Sequence, residues 1–208
     1  MSGSGAGFFG RDPVVVAPEL LGWVITVGEV HLRLTEVEAY RGEGEDPGSH
    51  AHRGPTPRNR TMFGEPGRLY VYLSHGIHHC VNVVAHEGGR SGAVLLRAGE
   101  VIAGMTAARE RRERGRASAL AQRDLARGPG RLGQALALTR DDDGLDLLGC
   151  DARARLIPPT GALLPSTIRT GPRVGVSGPG GDGARYPWRF WLADEPTVSP
   201  YRAATRRA

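Results

Sequence analysis

The sequence predicts a mixed α+β fold built on antiparallel hairpins, and three local patterns carry that expectation. Gly28-Glu29 joins two apolar-alternating segments with the two residues that a tight hairpin turn needs, Gly first. Ser74-His75-Gly76 joins a second such pair. Asp12-Pro13 reads as a helix start: a carboxylate that can cap, then Pro at the first helical position.

Taken in order, residues 1–7 read as a disordered tail, 8–200 as one folded domain and 201–208 as a C-terminal tail. The first helix is expected to run from Asp12 to Gly22, with Pro18 kinking or breaking it early. Strands follow at about 23–27 and 30–38. On the second, Val30, Leu32 and Leu34 share a face with Glu36 and Glu38, so the carboxylates continue a core-facing row toward the strand's end. Residues 41–68 form a long Gly/Pro-rich loop, and a loop of that length in a compact domain signals function. Strands are expected at 69–73, 77–85 and 92–98, and helices at 99–117 and about 130–138. Strands and turns fill 140–171, and a final strand pair is expected from Pro172 to Val176 and from Trp188 to Leu192.

Composition narrows the function. The chain has 208 residues, a formal net charge of +5 and 27 basic residues, all of them Arg. That balance suits a polyanionic partner. With no Lys, no side-chain amine exists to form a Schiff base with an opened sugar. The two cysteines, Cys80 and Cys150, are too few for a disulfide framework and read as reduced thiols. No apolar run approaches a membrane span, and no signal peptide is expected.

Four constellations could carry chemistry. Glu38 at a strand end and Arg97 within an apolar strand could form a general base and its cation, or a structural ion pair. Tyr40 and Tyr72, with His50, could wall a flat ligand, or each could be a packing residue. The histidines His50, His52, His75, His78, His79 and His86 raise the idea of a metal, but adjacent His78 and His79 face opposite sides of a strand and no metal-ligand spacing is present. Arg53, Thr56, Arg58 and Arg60, in RGPTPRNR, suit phosphate contacts. The run from Arg109 to Arg116 fits either such contacts or a solvated helix face.

The order of these blocks resembles the alkyladenine (3-methyladenine) DNA glycosylase family. TEVEAY, HAHRGPTPRNRTMFGEPG, YVYLSHGIHHCVNV, GAVLLRA, GPGRLGQALAL, PRVGV and PWRF together cover most of residues 8–192. The resemblance implies a single compact domain around an antiparallel sheet with a protruding β-hairpin, working without cofactor or metal. It implies a monofunctional glycosylase that flips alkylated or deaminated purines, such as 3-methyladenine and hypoxanthine, and hydrolyses the N-glycosidic bond; a catalytically idle nucleic-acid binder of the same fold is the alternative. Glu38 falls on the general base, Arg97 on the active-site Arg, and Val174 on the residue whose carbonyl meets the attacking water. Tyr40 and Tyr72 fall on the stacking rings, His50 on the base-contacting His and Asn82 on the guanine-discriminating Asn. His75 stands at the hairpin tip where relatives place an intercalating Tyr. The implied partner is double-stranded DNA bearing damaged purines, met by a monomer in a bacterial-type cytoplasm and not at a membrane.

Overall fold

The computed structural model describes residues 5–149, 153–161 and 164–204. Helix α1 (Gly5–Phe9) occupies the end of the segment read as a tail. Helix α2 (Pro13–Glu19) begins as its sequence dictates, with the Asp12 carboxylate accepting from the Val14 N–H at 2.8 Å and so satisfying a donor that a helix start leaves free. Pro18 lies in its last turn and the helix stops at Glu19, before Gly22. Early termination, rather than a kink, is how the proline acts.

Eight strands make one sheet: β1 (Val24–Val27), β2 (Val30–Arg41), β3 (Leu69–Ser74), β4 (His78–Val84), β5 (Gly92–Ala103), β6 (Ala154–Ile157), β7 (Ile168–Gly171) and β8 (Arg189–Leu192). Every pairing is antiparallel, in the order β3-β4-β5-β2-β1-β6, with β8 joining the outer half of β2 to β7. Helix α2 packs on β2 and β5; α4 (Pro129–Leu136) packs on β4 and β5, and α3 (Met105–Glu113) on α4. The expected mixed α+β domain around an antiparallel sheet is therefore present.

Two expected elements are different. Residues 99–103 continue β5, because they pair with β2 as far as His31↔Ala103, and the helix starts only at Met105 after a left-handed Gly104. Pro172 to Val176 is loop, and the partner of β8 is β7. Pro172 has no N–H to extend that ladder, so Val174 is delivered on a loop. The arginines of α3 are not a simply solvated face. Arg112 is buried and donates to the Leu125 carbonyl at 2.7 Å, while Arg109 and Arg111 donate to the carbonyls of Leu120 and Ala135. They clip α3 to its neighbours.

The decisive departure from strict alternation lies in β2. Its core-packed residues are Val30, Leu32 and Leu34, then Val37 and Ala39. The phase changes where the register against β5 shifts, between Leu34 and Val37. Thr35 on β2 and Arg97 on β5 are both passed over in this stretch, and the side chains of β2 that follow lie on the other face. Glu36 and Glu38 therefore do not continue the core row; they point away from it, together with Tyr40. Across the bulge, Leu34 pairs with Gly99, where a Cβ would overlap Leu32 and the Arg33 carbonyl. Gly99→Ala should destabilise the fold by about 1–3 kcal/mol through overpacking. Urea unfolding checks this, and an unchanged midpoint would separate the bulge from close packing at Gly99.

Candidate active site

The face that β2 turns away from the core lines a cavity of about 640 Å³, a size that suits a small-molecule or base site. Its floor comes from alternate residues of four neighbouring strands: Tyr70, Tyr72 and Ser74 of β3, Cys80 and Asn82 of β4, Ala93, Leu95 and Arg97 of β5, and Glu38 and Tyr40 of β2. Its rim comes from the long loop (Pro47, Gly48, His50, Arg58, Met62), the hairpin tip (His75), Pro129 and the loop Val174 to Ser177. The period-2 rule does the assembly: Leu69 and Val71, or Val81 and Val83, fill the core while their neighbours fill the cavity wall.

Glu38 has no exposed side-chain surface, and both its oxygens are held. The Val174 N–H donates to Oε1 at 2.8 Å, the Tyr40 hydroxyl donates to Oε2 at 2.9 Å, and Arg97 Nη1 lies 3.5 Å from Oε1. A carboxylate fixed this way can accept a proton from a water in the cavity. Burial, then the Glu38 charge, holds the Tyr40 hydroxyl well above the usual phenol range, so it stays a donor.

Arg97 serves a second carboxylate more closely. Its Nε donates to Glu36 Oε1 at 2.9 Å, and Arg189 Nε donates to the same oxygen at 2.6 Å. The Ser199 hydroxyl and N–H complete the cage at 3.0 and 2.7 Å. Burial works against the Arg97 charge, but Glu38 and then Glu36 outweigh it and raise its pKa. The Glu38–Arg97 pairing expected from the sequence is thus one arm of a larger network that adds Glu36, expected as a core-facing carboxylate without a partner, together with Arg189 and Ser199. Glu36 carried a signal, two residues from Glu38 on the same strand; Ser199 carried none.

His50 joins the cavity wall beside Tyr70 and Tyr72. Its Nδ1 lies 3.2 Å from the Tyr70 hydroxyl, and its ring stands edge-on to Tyr72 with centroids 4.5 Å apart. Burial, then Arg58, lowers its pKa, so near neutrality the ring is uncharged. Burial pushes Tyr70 up to about 12 and Tyr72 further. The Asn82 amide donates to the Tyr70 carbonyl at 3.0 Å, which ties its side chain to the wall. Arg58 sits over the Tyr72 ring at 5.5 Å and lines the cavity mouth, whereas Arg53, Thr56 and Arg60 are exposed outside it. The long loop is braced by buried Asn59, which accepts from Thr56 and donates to the carbonyls of His50 and Gly54.

The remaining histidines scatter. His75 and His78 are exposed, and His86 is buried with Nε2 2.8 Å from the Gly64 carbonyl. Among the described residues no three His, Cys, Asp or Glu side chains converge as a metal-ligating group. Cys80 is a buried free thiol, raised by burial; Cys150 lies outside the described residues.

Comparison with known proteins places this geometry. Residues 7–196 match the family model of methylpurine-DNA glycosylases. Provisionally named 3-methyladenine DNA glycosylases are similar along nearly their whole length. One from Leifsonia xyli is 53% identical over 205 residues, covering 93% of this chain and 92% of the relative. One from Streptomyces avermitilis is 49% identical, covering 96% and 92%, and one from Frankia casuarinae 48%, covering 97% and 94%.

The Glu36 cage generates a prediction of its own. Glu36→Gln keeps the shape but leaves two buried guanidinium groups around a neutral amide. It should cost about 3–5 kcal/mol of stability, the usual penalty for breaking one side of a buried ion pair. Chemical denaturation measures it; a loss below about 1 kcal/mol would reduce the cage to a surface-like pair.

Proposed function

The chain belongs to the methylpurine-DNA glycosylase family and is a DNA glycosylase, and from that premise we propose that it flips alkylated or deaminated purines, 3-methyladenine and hypoxanthine among them, out of duplex DNA and hydrolyses them without strand cleavage. The observation that carries the reading is the held carboxylate of Glu38, aimed into a cavity that Tyr40 and Tyr72 also line. In the proposed reaction a purine leaves the helix and lies against these rings, which offset the few kcal/mol of unstacking. Water attacks the anomeric carbon, the glycosidic bond breaks, and the base departs with the bonding electrons. Glu38 takes the water's proton and its charge stabilises the cationic sugar. Val174 places the water beside that carboxylate, and Arg97 faces it from 3.5 Å.

Asn82 sets the purine choice. With its amide tied to the Tyr70 carbonyl it cannot swing aside, so it rejects guanine, whose extra exocyclic amine needs that space. Arg53, Thr56, Arg58 and Arg60 hold the DNA backbone, and the protein acts as a monomer in the cytoplasm. Because the chain lacks Lys, its product is an intact abasic site.

Glu38→Gln should lower single-turnover base release from a hypoxanthine or 3-methyladenine duplex by at least about a hundredfold, with lesion binding largely kept. Borohydride in the same assay should trap no covalent complex. Near-normal turnover in the variant would remove Glu38 from the role of base, and a trapped adduct would rule out the monofunctional reading.

The hairpin tip supplies the wedge. His75 is exposed, with a positive φ of 50° that turns it out of the strand, and Ile77 beside it is 71% exposed. A flat ring and an apolar side chain suit the gap a flipped base leaves. His75→Ala and Ile77→Ala should each weaken flipping, by about 1–3 kcal/mol for the ring. Fluorescence of a flipped base analogue reports it, and flipping constants equal to wild type in both variants would reject the wedge.

A further inference from the structure

Among the described residues Arg173 is the largest fully buried side chain, and nothing in the chemistry above uses it. Its two terminal nitrogens are fully engaged, while the buried Nε has no partner. Nη1 and Nη2 donate to the two oxygens of Asp46 at 2.6 and 2.8 Å, Nη1 also to the Ala39 carbonyl at 3.0 Å, and Nη2 also to the Gly180 carbonyl at 2.8 Å. Its plane lies over the Tyr40 ring, 4.4 Å from the centroid. Burial opposes the charge, but the Asp46 hydrogen bonds, then Tyr40, outweigh it and keep the guanidinium protonated.

This one group therefore joins three segments that meet at the cavity: the end of β2, the start of the long loop, and the loop that carries Val174. Asp46 accepts from the Gly48 N–H as well, and a Cβ on Gly48 would crowd Arg173 and Val176. The two hydrogen bonds that orient Glu38 come from the neighbours of Arg173. Val174 follows it in the chain and donates to Oε1; Tyr40 lies under its guanidinium and donates to Oε2. A buried ion pair with five contacts is a costly way to hold a loop, and a bidentate fork that also stacks on an aromatic ring is something Lys cannot reproduce.

We propose that Arg173, locked by Asp46, is a positioning residue that sets both donors to the Glu38 carboxylate and so fixes its direction for water activation. The inference rests on the assignment of Glu38 as the general base. A general base displaced by about an ångström loses one to two orders of magnitude in rate, while contacts that bind the DNA lie elsewhere and should survive.

The test uses the full chain and a hypoxanthine duplex. Arg173→Lys keeps a buried cation for Asp46 but loses the fork and the stacking. Single-turnover base release should fall about tenfold to a hundredfold, with the Kd for the lesion duplex within about threefold of wild type and a cooperative urea transition retained. Tyr40→Phe should then slow the Arg173→Lys enzyme less than it slows wild type, because the hydroxyl is already misdirected. A purely structural role predicts a full rate in the folded fraction and additive effects, and either result overturns the proposal. Should Arg173→Lys fail to fold, Asp46→Leu with Arg173→Met leaves no unpaired charge and is judged by the same rate; failure of both to fold would assign the pair to stability alone and overturn it too. Near-normal turnover of Glu38→Gln in the same assay would sink the assignment of Glu38 instead, which keeps the two failures apart.

Discussion

The bulge in β2 between Leu34 and Val37 is the constraint on which the site depends. A strand of strict period 2 has one face for the core and one for solvent along its whole length. Here the first half must bury Leu32 and Leu34, and the second half must bury Val37 and Ala39. The irregular pairing between Leu34 and Val37 reconciles them. It turns Glu36, Glu38 and Tyr40 away from the core without sending a single apolar residue of β2 into water. It also turns Glu36 toward Arg97 on β5 and Arg189 on β8, so the bulge and the charge network are one feature. β8 pairs with β2 over Glu36 to Glu38, which brings Arg189 to the carboxylate that needs it.

Burying two carboxylates on one strand would drive one of them to protonate unless cations match them. Arg97 alone could not serve both. The Glu36 cage resolves this by giving Glu36 a second guanidinium and two donors from Ser199, which leaves part of Arg97 for Glu38. The longer 3.5 Å contact to Glu38 follows from that division. Glu36 is enclosed by four donors and does not line the cavity. Glu38, with one backbone donor, one phenol and a distant guanidinium, does line it. The two acids differ in environment far more than in sequence context, and that difference separates scaffold from chemistry.

Much of this was legible because it is local. The hairpin turns, the Asp12 cap and the cavity wall residues of β3 to β5 follow from turn chemistry and alternation. The bulge, too, left a trace: apolar residues at 30, 32 and 34 are followed by apolar residues at 37 and 39, a phase change that strict alternation overlooks. β5 hid its end, since VIAGMTAARE carries no turn signal beyond Gly104, and only pairing with β2 decides that 99–103 is strand. The pairs Asp46–Arg173 and Glu36–Ser199 join residues more than a hundred positions apart. No propensity or spacing rule reaches across such distances; they are properties of the closed fold. The loop that carries Val174 was misread as a strand for the same reason, because its shape is set by Arg173 and Glu38 rather than by its own sequence.

The division between floor and rim has a physical logic. The groups that do chemistry stand on sheet strands or are tied to them by buried hydrogen bonds, where backbone ladders resist displacement. The groups proposed to meet DNA, Arg53, Arg60, His75 and Ile77, are exposed on a loop and a hairpin tip. In the proposed reaction a base that leaves the helix crosses from the exposed rim to the buried floor. Adaptation to the many shapes of a duplex then occurs at the rim, where side chains can move at little cost. Orientation of water and carboxylate is fixed before any substrate arrives, and preorganised donors of that kind need no rearrangement at the moment of reaction. Arg58 marks the boundary, since it belongs to the loop yet lies over the Tyr72 ring at the cavity mouth. In the proposed complex a guanidinium there would face a phosphate outside while it holds the ring inside.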